Sequence, residues 1–229
     1  MKNQTSRYDI LFTKKPNYLN EAQKFRQKIF RKSEKGLDED EFDNNCVHCL
    51  VFDKANSDKL VLVFRIINFS SMAEIVNSYS AQFYDLKDIC NFSYNPMELG
   101  RFCVDPFSKD PFLVLTAMKF LFSYIKENNK NFLFGCSSFE GCDASDHLRS
   151  LIYLKANFVT KGDFAIKRKA KEVITFSSLE TKEDFKLNDY KKTLPSLLKF
   201  YLRLGGKVSD HAVIDRDLNT MHVFTYVRL

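Results

Sequence analysis

The stretch Met97-Glu98-Leu99-Gly100-Arg101-Phe102-Cys103-Val104 alternates apolar and charged residues, as a half-buried β-strand does. It continues through Asp105-Pro106, and an apolar helix is predicted to begin near Pro111. Glu98 and Arg101 therefore stand three residues apart beside a strand-to-helix turn, as a potential base and a potential anion clamp. We expect the rest of the fold to be arranged around this strand and turn.

The chain has 229 residues and shows neither an internal repeat nor a linker rich in Pro, Gly or Ser. We therefore predict a single domain over residues 1–229 with one large core. Residues Met1 to Ile10 are polar, and no apolar run is long enough to cross a bilayer. The expected location is the cytoplasm, and we expect any membrane contact to be peripheral.

The six cysteines are irregularly spaced and no secretion signal is evident, which predicts reduced thiols. Cys46-Val47-His48-Cys49 is a CxxC sequence without a second pair. Its histidine lies inside the motif, whereas haem attachment needs a histidine after it. We interpret these residues as part of a strand and predict no metal site.

The formal net charge of +6 is unevenly distributed. Residues 149–207 contain fourteen Lys and Arg against six Asp and Glu, so the remainder is slightly acidic. The densest basic run is Lys167-Arg168-Lys169-Ala170-Lys171. A surface of this sign can dock an acidic protein, anionic lipid headgroups or nucleic acid, and it can equally be a solvated strand edge protected by lysines.

Hydrophobic periodicity predicts an α/β alternation. The predicted helices are Leu19 to Arg31, Phe112 to Asn128, Ala144 to Lys155 and Leu194 to Leu204. The predicted strands are Cys46 to Phe52, Leu60 to Ile67, the strand around Leu99, Asn131 to Phe139 and His222 to Arg228, and Phe164 to Ile174 is expected to be extended. The first two strands are joined by a polar turn and are predicted to form a hairpin.

Asp110-Pro111 predicts the start of the second helix, with the aspartate as N-cap and the proline at the first helical position. Apolar residues cover most of the circumference of this helix, which predicts burial against a sheet. A strand-helix-strand connection of this length predicts a parallel pair with a right-handed crossover. The expected fold class is therefore α/β (α+β), a central mixed sheet with helices on both faces.

The order helix, hairpin, glutamate-bearing strand, buried helix, strand, helix and strand resembles the GNAT acyltransferase fold. Motifs in the first half resemble those of acyl-homoserine lactone synthases: Phe25-Arg26, Ile29-Phe30, Asp38-Glu39-Asp40-Glu41-Phe42-Asp43, Arg65, Glu98, Arg101-Phe102 and Val104-Asp105. Motifs in the second half are similar to those of bacterial L-ornithine N-alpha-acyltransferases: Leu133 to Phe139, Leu194 to Lys199, Tyr201 to Gly205, Asp215 and Asp217 to Thr220. One departure is Phe102, because a serine often follows the arginine in the ornithine family.

This resemblance implies an N-acyltransferase that moves a 3-hydroxyacyl chain from acyl carrier protein to the α-amino group of L-ornithine, the first step of ornithine-lipid synthesis. It implies no bound cofactor, since the carrier's phosphopantetheine arm is a co-substrate, and no nucleic-acid partner. One alternative is an acyl-homoserine lactone synthase that uses S-adenosylmethionine, against which Leu194 to Lys199 argues. Another is a non-catalytic module that binds carrier protein or lipid, against which the presence of both Glu98 and Arg101 counts.

The loop from Val104 to Phe112 bears on the acyl donor. CoA-dependent members cradle pyrophosphate on backbone N–H groups of a glycine-rich loop at a helix N-terminus. This loop has no glycine, two prolines that lack an N–H and two aspartates that would repel phosphate. A carrier-borne phosphopantetheine arm needs only a slot between strands and a basic docking surface for the acidic carrier. We therefore expect acyl carrier protein to dock on the basic C-terminal half.

The expected reaction is attack of an amine on a thioester. The amine must be neutral to attack, so a carboxylate must take its proton directly or through water, and we assign this role to Glu98. Burial that raised the pKa of this carboxyl group would help it. The backbone N–H groups of Arg101, Phe102 and Cys103 are the expected donors to the developing oxyanion.

Arg65 and Arg101 have two interpretations: they bind the amino-acid carboxylate, or they hold Asp40, Asp43 and Glu98 in a network. The resemblance adds Arg26, Asp40 and Asp43 to the candidate substrate-binding residues, although acids in an acidic loop are usually solvated.

In the second half, Ser137 and Ser138 are candidates to contact pantetheine or substrate, or are ordinary hydrogen-bonding strand residues. Asp215 and Asn219 are candidates to recognise a cationic side chain such as that of ornithine, or they cap the turn before the last strand. Phe107, Phe112 and Phe139 are predicted to flank the acyl slot.

Overall fold

A computed structural model describes residues 1–179 and 193–229. Its helices are α1 (Pro16–Phe30), α2 (Leu113–Glu127), α3 (Ala144–Asn157) and α4 (Ser196–Arg203). Its strands are β1 (Lys2–Gln4), β2 (Tyr8–Thr13), β3 (Val47–Asp53), β4 (Lys59–Asn68), β5 (Tyr84–Asp85), β6 (Pro96–Val104), β7 (Phe132–Glu140), β8 (Lys167–Arg168), β9 (Val173–Thr175), β10 (Lys207–Asp215) and β11 (Thr220–Arg228).

The chain divides into two compact units. Unit 1 comprises residues 1–68 and 97–130, and unit 2 comprises residues 69–96 and the described part of 131–229. The single domain expected over residues 1–229 stays a prediction.

Unit 1 is an antiparallel arrangement of β1, β2, β3, β4 and β6 in that order. Because side chains alternate along a strand, the paired Leu50 and Val63 share one face and pack against Ala22 of α1. Phe12 lies on the other face, where its ring stacks on Tyr124 of α2 at a centroid distance of 5.1 Å. Helices therefore cover both faces of this unit, and the predicted β3–β4 hairpin is confirmed.

Helix α2 begins at Leu113, so the predicted N-cap at Asp110 and the predicted proline at the first helical position are wrong. The Asp110 carboxylate instead accepts the N–H of Phe112 at 2.9 Å and the hydroxyl of Tyr8 at 2.5 Å, which closes a turn ahead of the helix. Leu115 is 62% exposed, so burial does not extend around the whole helix.

Unit 2 pairs β7, β11, β10 and β9 in antiparallel order, and β5 pairs with β8 elsewhere in the unit. Its core joins Leu151 of α3 and Leu198 of α4 to Val223 of the sheet. The sequence did not predict β10, whose apolar alternation is interrupted by a bulge between Val208 and Ala212. The segment predicted to be extended over 164–174 is divided between β8 and β9.

Helix α4 ends at Arg203 and is followed by Gly205 and Gly206, as its sequence indicates. Gly205 has φ +83°, and its N–H donates to the carbonyl of Leu202 at 3.1 Å. The N–H of Gly206 donates to the carbonyl of Tyr201 at 3.0 Å. These two bonds form a Schellman motif, which satisfies carbonyls at the helix end and turns the chain into β10.

We expect Gly206→Ala to lower the free energy of unfolding by about 2 kcal/mol, because a Cβ at Gly206 would lie 2.6 Å from the Tyr201 carbonyl oxygen. Gly205→Ala is the matched control: its Cβ would meet no atom within 4 Å, so only the left-handed φ adds a cost, about 1 kcal/mol at the lower end of the usual range. Urea unfolding of both variants measures the difference. Equal losses would contradict the close packing assigned to Gly206.

Candidate active site

Asp43 is the most enclosed carboxylate of a charged cluster in unit 1. Its side chain is 2% exposed and accepts hydrogen bonds from Arg26 of α1 at 2.9 and 2.6 Å. Arg65 of β4 donates to it at 2.6 Å, and the amide of Gln23 donates at 3.1 Å. Burial by itself would raise the pKa of Asp43, but these donors outweigh it and hold the pKa well below its usual range.

Asp40 and Asp38 extend the cluster toward β6. Arg65 donates to both carboxylate oxygens of Asp40, at 2.5 and 2.7 Å. Arg101 donates to Asp40 and to Asp38, each at 3.1 Å. Arg26 contacts Asp38 through an ion pair of 3.0 Å as well. The cluster thus joins α1, β4 and β6 to the segment before β3, and the alternative that Asp40 and Asp43 are solvated acids is wrong.

These contacts support the second interpretation of Arg65 and Arg101, in which the two arginines hold carboxylates in a network. Both guanidinium groups are occupied by Asp40, and Arg65 also holds Asp43. The candidate substrate-binding residues Arg26, Asp40 and Asp43 belong to the same network. Their geometry is that of a scaffold that fixes a loop.

A β-bulge interrupts β6 at Arg101. Val63 pairs with Cys103 and Arg65 pairs with Gly100, so Arg101 and Phe102 together oppose a single residue of β4. Arg101 has φ +50°, in the left-handed region that non-glycine residues rarely adopt. The bulge allows the side chain of Arg101 to reach the aspartates.

Phe102 leaves the strand on the opposite side from Arg101, and its ring stacks on Phe64 at 5.7 Å. Cys103 is buried beneath α1 with Val63. Burial raises the pKa of the Cys103 thiol above its usual value, so this thiol stays neutral. The predicted donor segment is therefore fixed on both faces of the strand.

Glu98 lies on β6 two residues before Gly100 and is 2% exposed. It pairs with Ile67, whereas Gly100 pairs with Arg65, so the side chains of Glu98 and Arg65 belong to the same face. A buried carboxyl group thus stands on the strand that carries the bulge.

Ser137 and Ser138 are neighbours on β7 and therefore point to opposite faces. Ser137 is buried, while Ser138 is exposed. Ser137 pairs with Val223 and Ser138 pairs with His222. The two hydroxyl groups cannot both line one face, so a joint contact with a single ligand is not supported.

Asp215 and Asn219 flank the turn between β10 and β11. The Asp215 carboxylate accepts the N–H groups of Asp217 at 3.1 Å and of Leu218 at 3.2 Å. Asn219 adopts φ +48°, which asparagine tolerates better than most residues. Both residues thus have a local role in the turn. This supports the interpretation that they cap the turn before the last strand.

Unit 2 contains a buried pair of side chains that the sequence does not predict. The Tyr84 hydroxyl lies 3.0 Å from Nδ1 of His222 and donates to the His222 carbonyl at 2.9 Å. Burial lowers the pKa of His222 to about 3, so its imidazole stays neutral. The two residues are 138 positions apart in the sequence, so no local sequence pattern predicts their contact. Phe139, which was predicted to flank the acyl slot, belongs to the core of this unit.

Asp38 was not among the predicted site residues, although it stands in one of the motifs that carry the family resemblance. In the CxxC sequence, the Cys46 thiol donates to the carbonyl of Phe42 at 3.1 Å, and burial raises its pKa to about 12. His48 Nε2 contacts the carbonyl of Asp43 at 2.9 Å. Within residues 1–179 and 193–229, no group of side chains is arranged to hold a metal ion.

Comparison with known proteins adds to this geometry. The chain is 30% identical over 193 residues to the L-ornithine N(alpha)-acyltransferase of Brucella abortus, covering 82% of this chain and 68% of that protein. It is 27% identical over 230 residues to the enzyme of the same name from Rhodobacter capsulatus, covering 94% and 88%. The chain belongs to the L-ornithine N(alpha)-acyltransferase family. It is accordingly an acyltransferase, and the recognition of this family from sequence motifs is confirmed.

Residues 20–116 match the family described as acetyltransferase (GNAT) domain. A solved structure, a putative N-acetyltransferase from Lactobacillus plantarum, aligns with 97% of this chain and 98% of its own at a TM-score of 0.50 and 11% identity. The α/β fold of the family, a mixed sheet with helices, is therefore the GNAT fold that was predicted. Across the described residues, no helix combines the length and apolarity needed to span a membrane.

We expect Asp43→Asn to lower the free energy of unfolding at pH 7 by about 3 kcal/mol, because it leaves buried arginine charge without its partner. The pKa of Asp43 is depressed in the folded state, so its contribution is present above the unfolded carboxyl pKa of about 4 and is lost as the pH falls through the lower folded value. The variant should therefore lose less stability than the parent between pH 4 and pH 2.

Urea unfolding at several pH values measures this difference. Glu34→Gln is the control, because Glu34 is exposed and its ion pair with Lys28 lies on the surface, where such pairs contribute little. A loss for Asp43→Asn no larger than that of the control would contradict the structural role of the cluster.

Proposed function

We propose that this protein transfers an acyl chain from the thioester of an acyl carrier protein to the α-amino group of L-ornithine. The amine nitrogen attacks the thioester carbonyl carbon, the carbon–sulfur bond breaks, and the carrier thiol leaves with a proton. The names of the family members support ornithine as the acceptor. A 3-hydroxyacyl chain would give lyso-ornithine lipid, the first product of ornithine-lipid synthesis.

Glu98 is the proposed base. It is a carboxyl group buried on β6, close to the bulge, where it can take the proton that the attacking amine loses. The contacts of Asp38, Asp40 and Asp43 with arginines commit those carboxylates to structure. We assign proton transfer to Glu98 because β6 itself carries this carboxyl group close to the bulge.

The proposed oxyanion donors are backbone N–H groups at Arg101, Phe102 and Cys103. A bulge changes the direction of backbone groups relative to a regular ladder, and such sites occur often next to active centres. Asp38 and Asp40 hold the Arg101 side chain, so this backbone is pre-organised. Arg101 is thus proposed as a positioning residue whose backbone also serves catalysis.

The loop after β6 supports a carrier-borne donor over CoA. The carboxylate of Asp105 accepts the N–H of Phe107 at 3.0 Å, and that of Asp110 accepts the N–H of Phe112 at 2.9 Å. The N–H of Ser108 donates to the carbonyl of Asp105. These are the groups that a pyrophosphate would need, and they already have partners within the loop.

A basic groove in unit 2 offers a docking surface for an acidic carrier. It has a volume of about 480 Å³, and its lining includes Lys155, Lys161, Lys207 and Arg228 against one carboxylate, Asp163. Within the described chain, no ion pair joins these four cations to a carboxylate. Their charge therefore stays available to an acidic partner.

The basic run that the sequence singled out is less available than this groove. Lys167 forms an ion pair of 2.7 Å with Asp88. Lys169 donates to the carbonyl of Ala81 at 2.6 Å. Lys155 of the groove likewise donates to the carbonyl of Leu179 at 2.9 Å, so Lys161 and Lys207 are the cations that we propose for carrier docking.

The purified protein can be incubated with a 3-hydroxyacyl carrier-protein thioester or the matching CoA thioester, and with ornithine or S-adenosylmethionine. Mass spectrometry of the products should detect the ornithine amide with the carrier-protein donor. The absence of an amide with any amino acid, or a homoserine lactone as the main product, would overturn the proposal. Equal turnover with the CoA thioester would contradict the proposed requirement for a carrier-protein donor.

Glu98→Gln should lower the turnover number about a hundredfold or more while the protein stays folded, because the amide cannot take a proton. The control is Glu127→Gln, which alters an exposed glutamate at the end of α2. Turnover measured against pH adds a second readout, since the acidic limb set by the base should disappear in the variant. An unchanged rate would remove Glu98 from this role.

Reversing charge in the groove should weaken carrier docking without changing chemistry. For Lys161→Glu combined with Lys207→Glu, we expect the KM for the carrier-protein donor to rise about tenfold at low salt, with kcat nearly unchanged. Lys24→Glu, on the exposed face of α1, is the control. An equal rise in KM for a short pantetheine thioester would show that the groove acts on something other than the carrier.

A further inference from the structure

The corner where β6 leads into α2 exposes three large apolar side chains within nine residues. Phe107 is 78% exposed, Phe112 is 64% exposed and Leu115 is 62% exposed. Phe112 and Leu115 are three residues apart at the start of a helix, so they are neighbours on its surface. We call Phe107, Phe112 and Leu115, with Lys109 and Lys119, the apolar corner.

Two copies of Asp-Pro-Phe, at residues 105–107 and 110–112, build this corner. In each copy the aspartate carboxylate accepts the N–H of the phenylalanine two residues later. The proline between them restricts the backbone. Each turn thereby fixes the backbone of an exposed phenylalanine, so the exposure of the rings is a built feature.

The two aspartates face inward and are neutralised. Asp105 forms an ion pair of 2.5 Å with Lys59, and its side chain is 8% exposed. Asp110 forms an ion pair of 3.2 Å with Arg7, and its side chain is 9% exposed. The carboxylates therefore add little negative charge to the surface of the corner.

Unlike the two aspartates, the lysines of the apolar corner point into solvent. Lys109 and Lys119 are exposed. In the described parts of the chain, neither takes part in an ion pair. The outer surface of the corner is consequently apolar with positive charge at its margin, which complements a surface of apolar interior and negative boundary.

We infer that the apolar corner inserts into the headgroup region of an anionic lipid bilayer, with Phe107, Phe112 and Leu115 in the acyl boundary and the two lysines at the phosphates. Interfacial phenylalanine and leucine beside lysine are typical of peripheral membrane contacts. The acidic carrier has the basic groove of unit 2 as its proposed surface, which leaves this corner to lipid. The inference does not depend on catalysis, because binding can be measured without either substrate.

The first test uses a tryptophan reporter, since the natural chain has no tryptophan. Phe107→Trp should shift its emission to shorter wavelength on addition of vesicles of phosphatidylcholine with phosphatidylglycerol, and lipids brominated in the acyl chain should quench it. Val76→Trp, at an exposed apolar position of unit 2, is the control and should do neither. The same response from both reporters, or none from Phe107→Trp, would overturn the inference.

The second test measures how much protein sediments with the same vesicles. Phe107→Ser combined with Phe112→Ser should lower the partition coefficient about tenfold or more, because both rings lose apolar burial. Val76→Ser should leave it unchanged. Vesicles of phosphatidylcholine alone should bind the parent protein more weakly, as should Lys109→Glu combined with Lys119→Glu.

Thermal unfolding of each variant checks that the fold is retained, which is expected because the substituted side chains are exposed. Parent protein that does not sediment with anionic vesicles would overturn the inference. A double serine variant that sediments like the parent but binds carrier protein more weakly would assign the corner to the carrier. Neither result bears on whether the protein acylates ornithine, so the two proposals fail separately.

Discussion

The bridge from Arg26 through Asp43 to Arg65 is the interaction on which the rest of unit 1 depends. It ties helix α1 and strand β4 to the segment that leads into β3, through charges that are almost completely buried. Burying ions costs solvation free energy, and only several good hydrogen bonds offset that cost. Asp43 has such bonds on both oxygens, so removing any one partner would leave the others buried and uncompensated.

The bulge of β6 depends on the same network. A non-glycine residue in the left-handed region costs about 1–2 kcal/mol, and Arg101 adopts it within a strand. Its ion pairs with Asp38 and Asp40 offset this cost and hold the proposed oxyanion segment in place. The arginines and aspartates that resemble a substrate site by motif therefore act, in this arrangement, on the shape of the strand that carries Glu98.

Periodicity predicts the elements whose patterns are local. Helices α1 and α3 and the β3–β4 hairpin appear within about three residues of their predicted bounds, because one face of each is continuously apolar. The start of α2 could not be predicted in this way, since the partner of Asp110 is Tyr8, 102 positions away. Strand β10 was not predicted for a local reason: its bulge interrupts the alternation of apolar and polar residues that indicates a strand.

For the candidate site, too, local motifs predict which residues are present but not which distant residues they contact. Motif order placed Glu98, Arg101 and the acidic segment, but their roles follow from which arginine meets which aspartate, and those contacts join residues up to 63 positions apart. Asp215 and Asn219 show the limit of a motif read alone, because the local hydrogen bonds of the turn already account for both. The motifs thus identified the residues of this cluster but not the contacts that they make.

The loop between β6 and α2 links the proposed acyl donor to the proposed membrane contact. Asp105 and Asp110 take the N–H groups of Phe107 and Phe112, and this removes the anion cradle that a CoA pyrophosphate would use. The same two bonds fix the backbone from which both rings extend into solvent. A loop that held pyrophosphate would need those N–H groups turned outward, which would release the turns that present the phenylalanines. The proposed preference for a carrier-borne donor and the exposure of an apolar corner therefore rest on a single loop geometry, and under both proposals that corner is available to lipid.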